Sequence, residues 1–312
     1  MGNASPATTG GCLIYSLIFD TPDAAATLDK AMVFLIKFFL MADQFLSDAD
    51  FELYKKLIYN ESGIFFTPTN RSILEGRLKI RLRENGVATP KLYFDTISSN
   101  KDELKGFLDS ITTNLTSFFR NQPHFDALER FVIPELVNIK KPAGDITVRI
   151  WSAGCSTGEE PYTIAMLLSE KLPPSFKFEI VASDLSLKCL MTAKEGFYDK
   201  SRVVGIPDAY LTKYFDILEN GYKAKDSLKS KIRFDYHNLK NASPWRNFDI
   251  VFCRNVLIYF DETAQTEVVN HFYDSMASKG FLYIGHSESL FGMSTKFEFV
   301  KTQWTTLYKK WL

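Results

Sequence analysis

Residues 148–160 read VRIWSAGCSTGEE: an apolar strand, a turn bounded by Gly154 and Gly158, and two adjacent carboxylates, Glu159 and Glu160. A strand that ends in small residues and hands over to a helix N-terminus builds a cofactor crevice in an α/β protein. The turn lacks the G-x-G-x-x-G spacing of a dinucleotide site. It also lacks the G-x-x-x-x-G-K-S/T pattern that cradles phosphates. Carboxylates at a helix N-terminus suit the helix dipole but would repel a pyrophosphate. They do not repel a cofactor that carries an ammonium and a sulfonium, which favours S-adenosylmethionine. An ordinary capping pair, with Pro161 in the first turn, is the plainer alternative.

Three further segments offer side chains to the same crevice. Asp184 closes the strand FEIVASD, where a carboxylate can accept both hydroxyls of a ribose. It could also cap the helix that follows. Asn238 and Leu239 follow a third strand, and Arg254 and Asn255 follow a fourth, FDIVFC. The four cysteines, Cys12, Cys155, Cys189 and Cys253, form no C-x-x-C pair, and no His stands at zinc spacing from them. No metal site is therefore expected. Free thiols in a reducing compartment follow, with Cys155 and Cys253 as space-fillers beside the turns. His286 reads as a hydrogen-bonding structural residue rather than a catalyst.

Elements must hold these groups in place. From residue 146 onward helix and strand patterns alternate, the sign of a parallel sheet with crossovers. The last segments, KFEFV and TTLYKK, read as an antiparallel hairpin on the sheet edge. The Asn220-Gly221 pair, flanked by Tyr214–Ile217 and Lys231–Phe234, predicts a small antiparallel β insert over about 210–234. Upstream, residues 42–112 read as a small all-helical domain. Ser47 and Asp50 make a cap signal, a second helix runs over about 70–84, and a third runs from Lys101 to Thr113. Residues 113–145 supply a linker and a helix, and 146–312 the α/β domain. Residues 1–41 read as an N-terminal extension outside the working domain, native or not. Their apolar run, 31–42, falls short of the ~20 residues that span a bilayer.

The 312 residues carry 37 basic and 37 acidic side chains. Such a balance gives no global field toward nucleic acid or an anionic membrane.

Five blocks, NLTSFFRNQPHF, WSAGCSTGEEPYTIAMLL, ASD, FDIVFCRNVLIYFD and GHSESL, stand in an order that resembles the chemotaxis receptor methyltransferase (CheR) family. The resemblance covers about residues 43–310. It implies an N-terminal helical domain joined to a class I, Rossmann-like methyltransferase domain with a small β insert. It implies S-adenosylmethionine as cofactor and transfer of its methyl group to glutamate side chains on chemoreceptor cytoplasmic helices. Carried over by position, Asn114, Thr116 and Arg120 match the linker residues that close over the cofactor. Glu160 matches the acidic residue of the turn better than Glu159, a register left open here. Asp184, the pair Asn238 and Leu239, and the pair Arg254 and Asn255 match further cofactor-binding positions. Tyr259 matches the tyrosine beside the reacting centre.

The chemistry implied is undemanding in acid–base terms. A glutamate carboxylate is ionised at neutral pH, with a reference pKa of about 4.3. It needs alignment rather than a general base, so a missing Ser-His-Asp or Cys-His set is expected. Arg120 suits a bidentate clamp on a carboxylate, and Tyr259 can steer by hydrogen bond. The basic helix over 70–84 is either a solvated face or the docking surface for an acidic receptor helix. The whole reads as a cytoplasmic monomer with no nucleic-acid partner and no membrane insertion. A class I methyltransferase with another acceptor, or a non-catalytic cofactor-binding scaffold, remains the competing expectation.

Overall fold

The structure, a computed structural model, describes residues 45–312. The N-terminal extension 1–41, its apolar run and Cys12 lie outside the described residues. Ser47 starts the first helix, α1 (Asp48–Ser62), by accepting the Asp50 N–H at 3.0 Å, as its cap signal predicts. In α2 (Arg71–Asn85) the buried side chains are Leu74, Leu78 and Leu82. Their four-residue spacing gives one apolar face, and left-handed Gly86 (φ 63°) ends the helix.

A helix that the sequence reading passed over, α3 (Pro90–Ser99), follows. Thr89 caps it by accepting the Leu92 N–H, and Pro90 fills its first turn. Next comes α4 (Lys101–Ile111), capped by Asn100. Tyr54, Tyr93 and Phe107 form the aromatic core of this domain, with Phe107 5.6 Å from Tyr54 and 5.8 Å from Tyr93.

After the linker, α5 (Gln122–Ala127) runs through a π turn at Leu128–Val132 into α6 (Ile133–Lys140). Pro134 lacks the N–H that a tight turn would need, which accounts for the wide one before it. The α/β part then runs β1 (Thr147–Ala153), α7 (Glu159–Lys171), β2 (Lys177–Asp184), α8 (Leu187–Glu195) and β3 (Phe197–Asp199). It continues through α9 (Asp208–Tyr214), β4 (Phe215–Leu218), β5 (Gly221–Ala224), α10 (Asp226–Lys229), β6 (Ile232–Tyr236) and β7 (Phe248–Cys253). It ends with α11 (Glu262–Ser275), β8 (Met276–Ile284), β9 (Glu298–Lys301) and β10 (Thr306–Lys309).

Seven of these strands form one sheet in the order β6-β2-β1-β7-β8-β10-β9. Pairing is parallel from β6 to β8 and antiparallel for β10 and β9, as expected of the C-terminal segments. The strand order reverses between β1 and β7, and such switch points open crevices at the strands' C-terminal ends. Side chains alternate between two cores. Ile150 and Phe252 pack with Phe125, Leu128 and Ile164 on one face. Trp151 and Val251 pack with Val268, Val269 and Phe272 of α11 on the other.

The small sheet has the order β3-β5-β4 and spans 197–224. The strand across from Phe215–Leu218 is Gly221–Ala224, with Leu218 opposite Gly221. The expected partner, Lys231–Phe234, instead begins β6 and pairs in parallel with β2. Ile232 is buried in the main core there, which a place in a two-sided polar insert would deny it. At the opposite end of the sheet from the crevice, buried Lys140 donates to both oxygens of Asp249, at 2.8 and 3.0 Å, and pairs with Asp145 at 2.7 Å. No helix among the described residues is long and apolar enough to cross a membrane.

Candidate active site

A cleft of about 400 Å³ opens at the switch point. All ten residues singled out from the sequence line it: Asn114, Thr116, Arg120, Glu160, Asp184, Asn238, Leu239, Arg254, Asn255 and Tyr259. The helical domain supplies a wall, through Phe65, Asn70, Ile73 and Ile111. Backbone bonds fix that wall. Ile64 bridges Phe260, and the Phe65 N–H donates to the Tyr259 carbonyl at 2.8 Å. The Asn238 amide donates to the Glu61 carbonyl at 2.6 Å, and the Lys240 ammonium to the carbonyls of Tyr59 and Asn60.

The turn after β1 alternates into the left-handed region at Gly154 (φ 79°), Ser156 (φ 50°) and Gly158 (φ 96°). A Cβ on Gly154 would stand 2.5 Å from Val256 Cγ2, so the closeness of the β7 loop requires glycine. The N–H groups of Gly154 and Cys155 donate to the Ser183 carbonyl at 2.8 and 2.9 Å. Asp184 accepts the Ser156 N–H at 2.7 Å and the Ser186 N–H at 2.8 Å. The N-cap of α8 is Ser186, not Asp184. Asp184 therefore ties two loops together at the rim of the cleft. Burial pushes its carboxyl above the usual range, against the N–H groups of Ser186, Ser156 and Leu185.

The two glutamates diverge because neighbours on a helix point about 100° apart. Glu160 lines the cleft, accepts the Ser152 hydroxyl at 2.7 Å and pairs with Arg254 at 3.3 Å. Burial raises its carboxyl above the usual range, opposed by Arg254, Ser152 and Arg120. Glu159 faces away, buried against the Arg202 guanidinium and the Thr157 hydroxyl. Arg254 is itself buried; it donates to the Arg120 carbonyl and lies 5.3 Å over the Phe125 ring. Its Nε and the Oδ1 of Asn255 are buried without a hydrogen-bond partner.

The linker closes the cleft under conformational strain. Phe119 (φ 52°) and Asn121 (φ 63°) flank Arg120 in left-handed backbone, and Asn255 (φ 60°) does the same after β7. Such residues persist where the surroundings over-determine them. The Phe119 N–H is held by the Thr163 hydroxyl at 3.2 Å, and Ser156 donates its hydroxyl to the Asn114 carbonyl at 3.1 Å. Arg120 donates to the Leu115 carbonyl at 2.8 Å, which curls the linker around the guanidinium.

Glu288, which the sequence reading left without a role, braces the β7 loop. It accepts the N–H groups of Asn255 at 3.0 Å, Gly285 at 2.5 Å and Ile258 at 3.3 Å. Its place inside the GHSESL block was the available signal.

Comparison with known proteins agrees with this fold. The family model described as CheR methyltransferase, all-alpha domain, matches residues 49–112. The model described as CheR methyltransferase, SAM binding domain, matches residues 114–306. A chemotaxis protein methyltransferase of Borreliella burgdorferi is 37% identical over 245 residues, covering 76% of this chain and 87% of that protein. Chemotaxis protein methyltransferase 2 of Vibrio cholerae is 32% identical over 273 residues, covering 85% of this chain and 94% of that protein. A chemotaxis protein methyltransferase of Escherichia coli is 34% identical over 261 residues, with coverages of 81% and 88%. With both domains matched in order around one cleft, the chain belongs to the CheR methyltransferase family and is an S-adenosylmethionine-dependent methyltransferase.

Proposed function

We propose that the chain methylates glutamate side chains on the cytoplasmic helices of a chemoreceptor, giving glutamate methyl esters in chemosensory adaptation. The observation that carries this reading is the gathering of all ten expected residues on a single cleft walled by both family domains.

The cleft suits the cofactor. Its volume is about 400 Å³, and the unpartnered Asn255 Oδ1 and Arg254 Nε leave hydrogen-bonding capacity unused in its walls. In this reading Glu160 holds an ammonium and Asp184 the ribose hydroxyls. Asn238 and Leu239 flank the adenine, and Asn114, Thr116, Arg254 and Asn255 complete the enclosure. S-adenosylmethionine, when bound, supplies an electrophilic methyl group.

The chain's own residues then have one task. Arg120 clamps the incoming glutamate carboxylate and Tyr259 steers it, so that the ionised oxygen attacks without a base. Alignment of this kind contributes roughly 7–11 kcal/mol to lowering a barrier. Closure of the linker over the cleft excludes water, which would otherwise hydrate the carboxylate.

Docking of the receptor falls to the basic helix over 70–84. Arg81 is engaged by Glu103 and Glu84, and Arg71 by Glu75. Arg77 and Arg83 are the cations of α2 assigned to an acidic helix, with an association rate that falls as salt rises. The chain acts in the cytoplasm as a monomer, with no nucleic-acid partner and without inserting into a membrane.

The test is methyl transfer from labelled cofactor onto purified receptor cytoplasmic domains. Label released by mild base, as from an ester, supports the reading. Label that resists base would assign a nitrogen or carbon acceptor, and no transfer at all would favour a cofactor-binding scaffold.

A further inference from the structure

The cofactor turn is held from two sides. Its inner half, Gly154 to Ser156, hangs from the end of β2 through Ser183 and Asp184. Its outer half, Thr157 to Glu159, is held by the small sheet and the turn that follows β3. Tyr198 of β3 donates its hydroxyl to the Thr157 carbonyl at 2.7 Å. Arg202 donates to the Thr157 hydroxyl oxygen at 2.5 Å and to the Glu159 carboxylate. Thr157 completes the triangle by donating to Glu159 at 2.8 Å. The Glu159 side chain is 1% exposed and that of Arg202 32%, so the pair is buried at the acid end and open at the other. The guanidinium also lies 5.3 Å over the Tyr198 ring.

The same small unit grips the linker. The Phe118 ring meets Tyr198 edge-on at 4.9 Å and Phe215 at 5.8 Å. Gly205 approaches so closely that a Cβ there would stand 2.6 Å from the Phe118 carbonyl oxygen. Neither Arg202 nor Tyr198 lines the cleft. The small sheet thus touches both the turn and the linker from behind. Left-handed Gly158, to which other backbone angles are equally open, is free to shift once the outer bonds are lost. A buried glutamate without its partner charge is also strongly disfavoured.

We propose that Arg202 is a positioning residue for cofactor binding, acting through Glu159 and Thr157 to couple the small antiparallel sheet to the cofactor turn. Linkage is reciprocal, so cofactor must order the sheet as much as the sheet favours cofactor. This inference rests on the reading that the cleft holds the cofactor.

The experiment uses the full chain and S-adenosylhomocysteine. Calorimetric titration compares wild type with Arg202→Met, Arg202→Lys, Glu159→Gln, the Glu159→Gln/Arg202→Met double variant and Asp184→Asn. Arg202→Met is expected to bind about tenfold more weakly, as loss of a charge-assisted contact predicts. Arg202→Lys should recover part of that loss, and the double variant should bind no more weakly than either single one. In turnover, KM for S-adenosylmethionine should rise about tenfold in Arg202→Met while kcat stays within about twofold.

Amide exchange supplies the reciprocal readout: S-adenosylhomocysteine should slow exchange over 197–224 in wild type but not in Arg202→Met. A merely structural arginine would lower stability without that pattern. Should Arg202→Met not fold, Arg202→Lys and Glu159→Gln carry the same comparison. Normal binding by the Arg202 and Glu159 variants, with weak binding by Asp184→Asn, would overturn the coupling alone. Normal binding by Asp184→Asn as well would overturn the cleft reading beneath it.

Discussion

The two ends of the main sheet each bury a carboxylate and a cation, and they use them differently. At the lower end Lys140 spends its ammonium on Asp249 and Asp145, and Asp249 also accepts the Arg149 N–H at 2.8 Å. At the upper end the Glu160–Arg254 pair is long at 3.3 Å, Arg254 Nε lacks a partner, and Asn255 holds a left-handed φ beside it. The lower network closes on itself and locks α6 to β7. The upper one leaves bonding capacity and strain in place, which is what a site for a ligand requires. Position in the fold, rather than burial alone, separates a fastening from a binding site.

The largest expected effect would come from breaking the closed end. Asp249→Ala leaves a buried ammonium with Asp145 as its remaining partner and should cost about 3 kcal/mol of stability in urea unfolding. Methyl transfer per folded molecule should be unchanged. A stable variant with impaired turnover would reverse the roles assigned to the two ends.

The open end should behave the opposite way. Arg120→Ala is expected to lower turnover about a hundredfold, equivalent to about 2.7 kcal/mol, through loss of alignment. Its Tm should stay within about 2 °C of wild type, because Arg120 is part-exposed and contacts a loop carbonyl. An unchanged rate would remove it from the reaction.

Acid should sharpen the contrast by the smallest margin. Buried His124, near Arg254 and His286, is held at about 3 by burial first and by those charges second, against an ordinary 6.5. A depressed folded value means its contribution is complete above 6.5 and is lost as pH falls toward 3. Asp145 is held at about 2 by the Lys140 bond, against 3.8, so its contribution is complete above 3.8 and is lost as pH falls through 2. The upper end should therefore weaken first. His124→Phe should flatten the slope of Tm that begins below pH 6.5, with His237, also lowered by burial, keeping the remainder, while Asp145→Asn should alter only the limb below 3.8. Identical profiles for the two variants would contradict the assignment.

Much of this was legible in the chain, for physical reasons. Asp184, Asn238, Leu239, Arg254 and Asn255 sit at or just after strand ends, where apolar runs stop and polar ones begin, so position along the sequence locates them in space, whereas Asn114, Thr116 and Arg120 in the linker and Tyr259 were legible only through the family resemblance. The register of Glu159 against Glu160 was not legible, because it depends on Arg202, which lies in the turn after β3, far from the glutamates along the chain. The insert's strand pairing failed for a similar reason. Asn220 correctly marked a turn, but Ile232 and Phe234 took the edge of the main sheet, where apolar surface was available. Helix α3 was missed because its KLYFDTISS run is rich in β-branched and hydroxyl residues, and its stability comes from the Thr89 cap and the burial of Tyr93 and Ile97.

One measurement reaches the central claim directly: an experimental structure of the chain with S-adenosylhomocysteine. The account predicts the nucleoside against Asp184 and Asn238, the amino group against Glu160, and the Arg120 guanidinium facing the sulfur side of the cleft. A ligand bound elsewhere on the molecule, or an Arg120 turned out to solvent above an occupied cleft, would contradict it.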